Sequence, residues 1–436
     1  MRAESEQIEP GSIPPLRLPA PASRPYGTLR HRDPRRWPEW ATALAAAAAV
    51  TVVIVGALTI VHAISRPAPN PPAVAGSAWY SGIPPYYAYA VQGSTYSGTV
   101  NGVQHDDSVV ARYVRVRATA SGKVLTTVSP PAPYNAFESF TGAASDRTFV
   151  FAAQRYSYGS AGKERYEQDQ KTPLKFMILR ITPDGRPQLS PLQLPETLTA
   201  AQMPTLALSP DGAQLAVAYG GSGKPAVVQV ITLATGQMRQ WVSPRPAAAP
   251  VLTGLGAWTS DGRVLAVGQM LIGSGGDIRS GPTQMRLLDT AAPGTSLAAS
   301  KLVTLPDALG FSSFITPDGT KLIGEYGRGA ARAGGFTESG ALGVYSARTG
   351  ALLRVIARWQ LHGQRPLSSR AQQLVAWSNL SGSRLIVEMP RGQSGEVGFL
   401  TGDTFTPIPH VALPPLLNAM NSGGFQTSGG YVGFAW

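Results

Sequence analysis

Three stretches of this sequence hold residue types capable of chemistry. Gln104-His105-Asp106-Asp107 groups an imidazole with two carboxylates, the donors a divalent cation takes. Gly392-Gln393-Ser394-Gly395-Glu396 approaches the G-x-S-x-G turn that lifts a serine nucleophile, and Gly220-Gly221-Ser222-Gly223-Lys224-Pro225 carries a Gly-Lys pair of the kind that cradles phosphate. Each falls short in one place. Consecutive loop residues cannot all turn their donors to one ion, the serine turn has Glu396 where its second glycine belongs, and Lys224 is followed by Pro225 rather than Ser or Thr. His105, His362 and His410 show no metal-ligand spacing, and the chain has no Cys, which removes disulfides and thiolate sites. The expectation is a chain with no catalytic residue, no metal and no cofactor.

Acidic residues do recur, but in turns. Ser209-Pro210-Asp211-Gly212, Ser260-Asp261-Gly262 and Pro317-Asp318-Gly319 each precede a short run of alternating apolar side chains. Proline pre-sets φ, aspartate bonds the backbone just after it, and glycine takes the positive φ that reverses the chain. These residues therefore read as structural, and Asp211, Asp261 and Asp318 as turn-formers rather than catalytic acids. Related stretches start at Ala143 and Asn379. In the strand after Gly212, Leu215, Val217 and Tyr219 share one face and Ala216 and Ala218 the other, which suits a sheet packed between two neighbours.

A second hairpin, strand, glycine turn, strand, begins at Arg117, Arg180, Val230, Arg286, Val344 and Gly398. Two hairpins per unit make a four-stranded sheet, and such sheets repeated about an axis are propeller blades. The fold class predicted is all-β, a six-bladed β-propeller. Tyr86–Val91 lacks a preceding strand and Gly423–Trp436 lacks a following hairpin, so the two ends are expected to complete one blade; if they form separate blades, the count is seven.

The S/T-P-D-G turn before an apolar strand, with the later Thr-Gly hairpin, resembles the repeats of TolB-like and WD40-like propellers over residues 80–436. That resemblance implies the fold and no particular activity, because such repeats serve binding proteins and the propeller halves of oligopeptidases alike. The WD dipeptide is absent, and no stretch after the last strands is left for a hydrolase domain. Of 37 basic residues 30 are Arg, in a chain rich in Ala, Gly and Pro, a usage that resembles high-GC actinobacterial proteins. Glycine-rich segments from Gly268 and Gly327 read as insertions. The mixed-charge segment around Lys163, Arg165 and Tyr166 reads as an exposed loop suited to a binding partner.

Location rests on Ala41–Ile64, 24 residues with no Asp, Glu, Lys or Arg. As a helix it spans roughly 36 Å, enough for a bilayer core of about 30 Å. Arg30, Arg32, Arg35 and Arg36 precede it and only Arg66 follows closely, so the N-terminus is expected in the cytoplasm and the rest outside. The sequence thus divides into a disordered tail over 1–40, a transmembrane helix over 41–64, a Pro-rich linker over 65–78 and an extracytoplasmic propeller over 79–436. The apolar run is longer than a cleavable signal needs. Net charge is +12 and most of the excess lies after the span, where nucleic acid is no partner. The partners expected are the membrane and an envelope protein, with a glycan or anionic polymer as a further class. An enzyme working at the central channel, and a sensor acting through the tail, stay open as alternatives.

Overall fold

Two compact units, Met1–Asn70 and Pro71–Trp436, divide the chain. The computed structural model describes residues 82–435 apart from 95–97, 101–102, 106–108, 144–146, 158–166, 203, 221–224, 244–249, 272–282, 294, 307–312, 333–334, 364–374, 392–393, 403 and 412–433. The expected span Ala41–Ile64 and the loop residues Lys163, Arg165 and Tyr166 lie outside the described residues. Among those described, no helix is long and apolar enough to cross a membrane.

Strands follow one another in antiparallel fours. The 205–242 sheet runs Thr205–Leu208, Gln214–Tyr219, Val227–Thr232, Met238–Val242. The 250–305, 313–363 and 375–407 sheets repeat that order. Ahead of them, Ala136–Gly142, Thr148–Gln154, Lys175–Ile181 and Pro187–Leu192 form the 136–192 sheet. It is joined by the single pair Ala111↔Phe137 to Tyr86–Ser94, Val109–Ala118 and Val124–Val128, the 86–128 sheet. The missing innermost strand of that sheet comes from the far end of the chain, where Phe434–Ala435 pairs with Tyr89 and Ala88.

Packing explains why alternation has the form it does. Leu215, Val217 and Tyr219 face back into a core shared with Val150, Phe176 and Ile178. Ala216 and Ala218 face forward against Leu265, Val267 and Trp258. Further cores join 250–305 to 313–363, through Met285, Leu305 and Tyr345, and 313–363 to 375–407, through Ile323, Val344 and Leu385. The last sheet packs on the first: Trp377, Ile386, Val397 and Phe399 meet Tyr87 and Tyr89. Ala88, Val114 and Val116 then meet Phe137, Phe149 and Phe151. Each sheet shares a core with the next and the last with the first, which is the arrangement of a β-propeller. Side chains such as Leu215 and Val217 contribute about 1.5–3 kcal/mol apiece by burial.

One sequence expectation changes. Residues from Gly327, read as a glycine-rich insertion, continue the sheet: Lys321–Arg332 pairs with Gly335–Ser346 residue by residue out to Arg332↔Gly335. The backbone supplies the order there, since the glycines and alanines give no alternation to read.

Candidate functional site

Because the strands of each sheet alternate in direction, connections from first to second and third to fourth strands emerge at one end. Those from second to third and from fourth to the next sheet emerge at the other. The two ends are built differently.

At the first end the repeated turns are locked. Ser209 Oγ donates to Asp211 Oδ1 (2.6 Å) and accepts from Gln214 N (2.8 Å), while Asp211 Oδ1 accepts from Ala213 N (3.0 Å). Thr259 and Thr316 do the same with Asp261 and Asp318. Asn379 takes the hydroxyl's place in the fourth copy, accepting from Arg384 N at 2.9 Å. Gly212, Gly262, Gly319 and Gly382 all hold φ between 66° and 72°. The turns also bind one another: Ser260 N donates to Pro317 O (2.7 Å) and Asp318 N to Leu380 O (2.9 Å). Burial pushes the Asp318 carboxyl up, yet the donors Thr316 and Thr320, with Lys321 nearby, hold it below its ordinary value. These carboxylates are consumed by the fold. Thr259 and Thr316, which play the part of Ser209, go unnamed in the sequence reading because the position varies among Ser, Thr and Asn.

At the opposite end, the 136–192 sheet gathers polar groups around its two innermost strands. Glu138 is the extra residue of a bulge between Phe137 and Ser139. Burial pushes its carboxyl up to about 7, against the opposing pull of a hydrogen bond with Gln154, itself buried. Asn135 Nδ2 donates to Tyr156 O at 2.9 Å and Tyr156 N returns a bond to Asn135 Oδ1 at 2.8 Å. Arg155 Nε lies 3.6 Å from Oδ1 of the buried Asp169, whose Oδ2 has no partner. Asp169 sits in the turn of helix at 167–170 that immediately follows the loop segment of Lys163, Arg165 and Tyr166. Arg155, the residue after the second strand, thus meets this turn of helix. Sequence reasoning passed over Glu138, although an acid between Phe137 and Phe140 on an apolar strand was a readable signal.

The remaining candidate motifs are not brought together. Gln104 and His105 belong to a small hairpin of 98–100 with 103–105. Ser394 and Gly395 start a strand opposite Arg391 and Pro390, and Gly220 follows the strand that ends at Tyr219, with residues 221–224 outside the described residues. Among the described residues no three His, Asp or Glu side chains could hold a metal. A second polar group ties the 193–204 connection to the 205–242 sheet: Tyr219 Oη donates to Glu196 at 3.2 Å and accepts from Gln229 Nε2 at 3.1 Å, and Gln229 also donates to Glu196. Burial, then the Glu196 charge, raises the Tyr219 pKa far above its ordinary value, so the hydroxyl remains a donor.

No protein-family model matches the chain, and no curated protein is similar to it. Among solved structures, TolB from Acinetobacter baumannii is similar over 74% of this chain at 11% identity and a TM-score of 0.42. The match spans 62% of that TolB chain. The β-propeller domain of Myceliophteria thermophila Cps50 (Swd1) is similar over 72% of this chain and 88% of its own, at 11% identity and a TM-score of 0.36. The Dos1 propeller is similar over 65% and 71%, at 10% identity and a TM-score of 0.35.

Proposed function

We propose that this chain is a six-bladed propeller, held to the membrane by Ala41–Ile64 and displayed outside the cytoplasm, that binds a protein partner of the cell envelope through the end opposite its locked turns. The observation that carries the reading is the asymmetry between the two ends. At one, short turns spend their polar groups on each other and on neighbouring sheets. At the other, long connections leave from successive sheets, among them 155–174, 193–204 and 272–282. Binding residues are usually carried on such connections over a rigid scaffold. Composition supports the membrane part of the reading through the charge-free apolar run and the arginines before it.

In-cell crosslinking of the full-length protein tests this, compared with a version in which 158–166 is replaced by a Gly-Ser linker of equal length. The expected result is a reproducible set of envelope proteins captured by the first and lost with the second. Equal capture by both, with the replaced version correctly folded, removes the partner-binding role from this end.

A further inference from the structure

The seam where the last sheet meets the first carries arginines that form none of the ion pairs found among the described residues. From Ser108 to Phe137 the chain has Arg112, Arg115, Arg117 and Lys123 and not one Asp or Glu. On the strand Val109–Ala118, Val114 and Val116 turn into the core shared with the 136–192 sheet. Arg115 and Arg117 take the other side of the strand, the side on which Tyr87 and Tyr89 pack against the 375–407 sheet. Arg115 and Arg117 are both half-buried.

Several other described arginines find acceptors. Arg263 pairs with Asp289 at 2.8 Å, Arg186 with Asp184 at 2.9 Å, and Arg286 reaches Gln269 at 2.7 Å and Leu297 O at 3.0 Å. Arg115 and Arg117 meet aromatic rings and phenol oxygens instead. The Arg115 guanidinium lies 5.3 Å from the Tyr113 ring centroid, bonds the Tyr113 hydroxyl at 3.5 Å and shares a hydrogen bond with the Tyr89 side chain, phenols that leave its charge without a carboxylate. Arg117 lies 5.2 Å from the Tyr89 ring centroid, and its Nε is buried without an acceptor. Across the seam Arg384 adds a third guanidinium, 3.7 Å from the Phe399 ring centroid. A ring under a guanidinium fixes its plane while leaving its edge donors free, the geometry that takes a carboxylate or phosphate in two-point fashion. Arg115 and Arg117, two residues apart on one side of a strand, stand roughly 7 Å apart at Cα.

We infer that Arg115 and Arg117 form an oxyanion site, taking the carboxylate or phosphate groups of an acidic polymer along the closing seam. This goes beyond the protein-binding reading and does not depend on it.

The test uses the purified full-length protein and two probes at constant ionic strength, fluorescently labelled trigalacturonate for carboxylate and tripolyphosphate for phosphate. Saturable binding of at least one is expected, and which one responds identifies the anion. R115Q and R117Q each weaken it about 3- to 10-fold, and the double variant more than tenfold. R117K keeps the charge but loses the two-point fork, and is expected to weaken binding several-fold. R186Q, on an exposed hairpin of another sheet, leaves it unchanged. Saturable binding of neither probe overturns the site, as does equal weakening by R186Q, which means diffuse charge only. If R117Q melts well below the parent protein, R115Q and R117K decide the matter.

Discussion

The two ends of the propeller teach different lessons about what its polar residues are for. At the locked end, each Ser or Thr hydroxyl, its aspartate and the following backbone N–H groups satisfy one another, and the turn then donates to the next. Such a network stiffens the ring and leaves little to offer a partner. The other end holds polar groups in a bulge and in a buried carboxylate that meets Arg155 with one oxygen and leaves the second without a partner, so its chemistry is unsaturated. Stability should reside in the first and recognition in the second.

The largest effect expected breaks the locked end. Gly350 has φ of 76°, and an added Cβ would sit 2.0 Å from the Thr304 carbonyl oxygen of the preceding sheet. Gly236 occupies the corresponding hairpin at 69° with nothing within 4 Å. Gly350→Ala should therefore cost about 3 kcal/mol or more, and Gly236→Ala only the left-handed backbone penalty of about 1–2 kcal/mol. Urea melts of both separate a turn that holds sheets together from one that merely reverses the chain.

Next comes the pH response of the open end. Glu138 binds its proton more tightly in the folded state, with a pKa near 7 against about 4.3 unfolded, so its contribution is fully favourable below pH 4 and is lost as pH rises through 7. The loss is at most about 4 kcal/mol. Glu138→Gln should accordingly be more stable than the parent at pH 8 and no more stable at pH 4. Equal effects at both pH values would mean that the carboxyl is solvated.

Smaller still, Ser209→Ala removes one hydroxyl that both donates and accepts, and should cost about 1 kcal/mol in the same melts, with partner capture unchanged. Smallest in stability, replacing Lys163, Arg165 and Tyr166 together by alanine should shift the melt by less than about 0.5 kcal/mol while abolishing crosslinked partners. A large stability loss there would erase the contrast between the ends.

Much of the architecture was legible because turns and strand periods are local. The second hairpins read from the sequence at Arg117, Arg180, Val230, Val344 and Gly398 coincide with the third and fourth strands of a sheet, while at Arg286 a turn of helix at Leu297–Ala299 delays the fourth strand to Lys301–Leu305. The residue before Ser260 and before Pro317 went unnamed, since Thr259 and Thr316 carry the bonds and sequence alone does not show which hydroxyl faces the reversal. Glu138 was readable as an acid on an apolar strand but not as a perturbed one, because its pKa follows from a bulge and from burial, both products of pairing with strand 148–154. The arginines of the seam were visible as charge but not as unpaired charge, which depends on sheets distant in sequence.

The hydroxyl of Tyr87 donates to the carbonyl of His410, 323 residues further on. Joining such remote segments carries a loop-closure cost that local hairpins avoid, and contacts of this range form late. While the chain is being made, Tyr87 and Tyr89 must wait in water until the last sheet arrives. Folding speed, and the hazard of sticking to other chains meanwhile, are thus governed by the final strands more than by any of the repeats between.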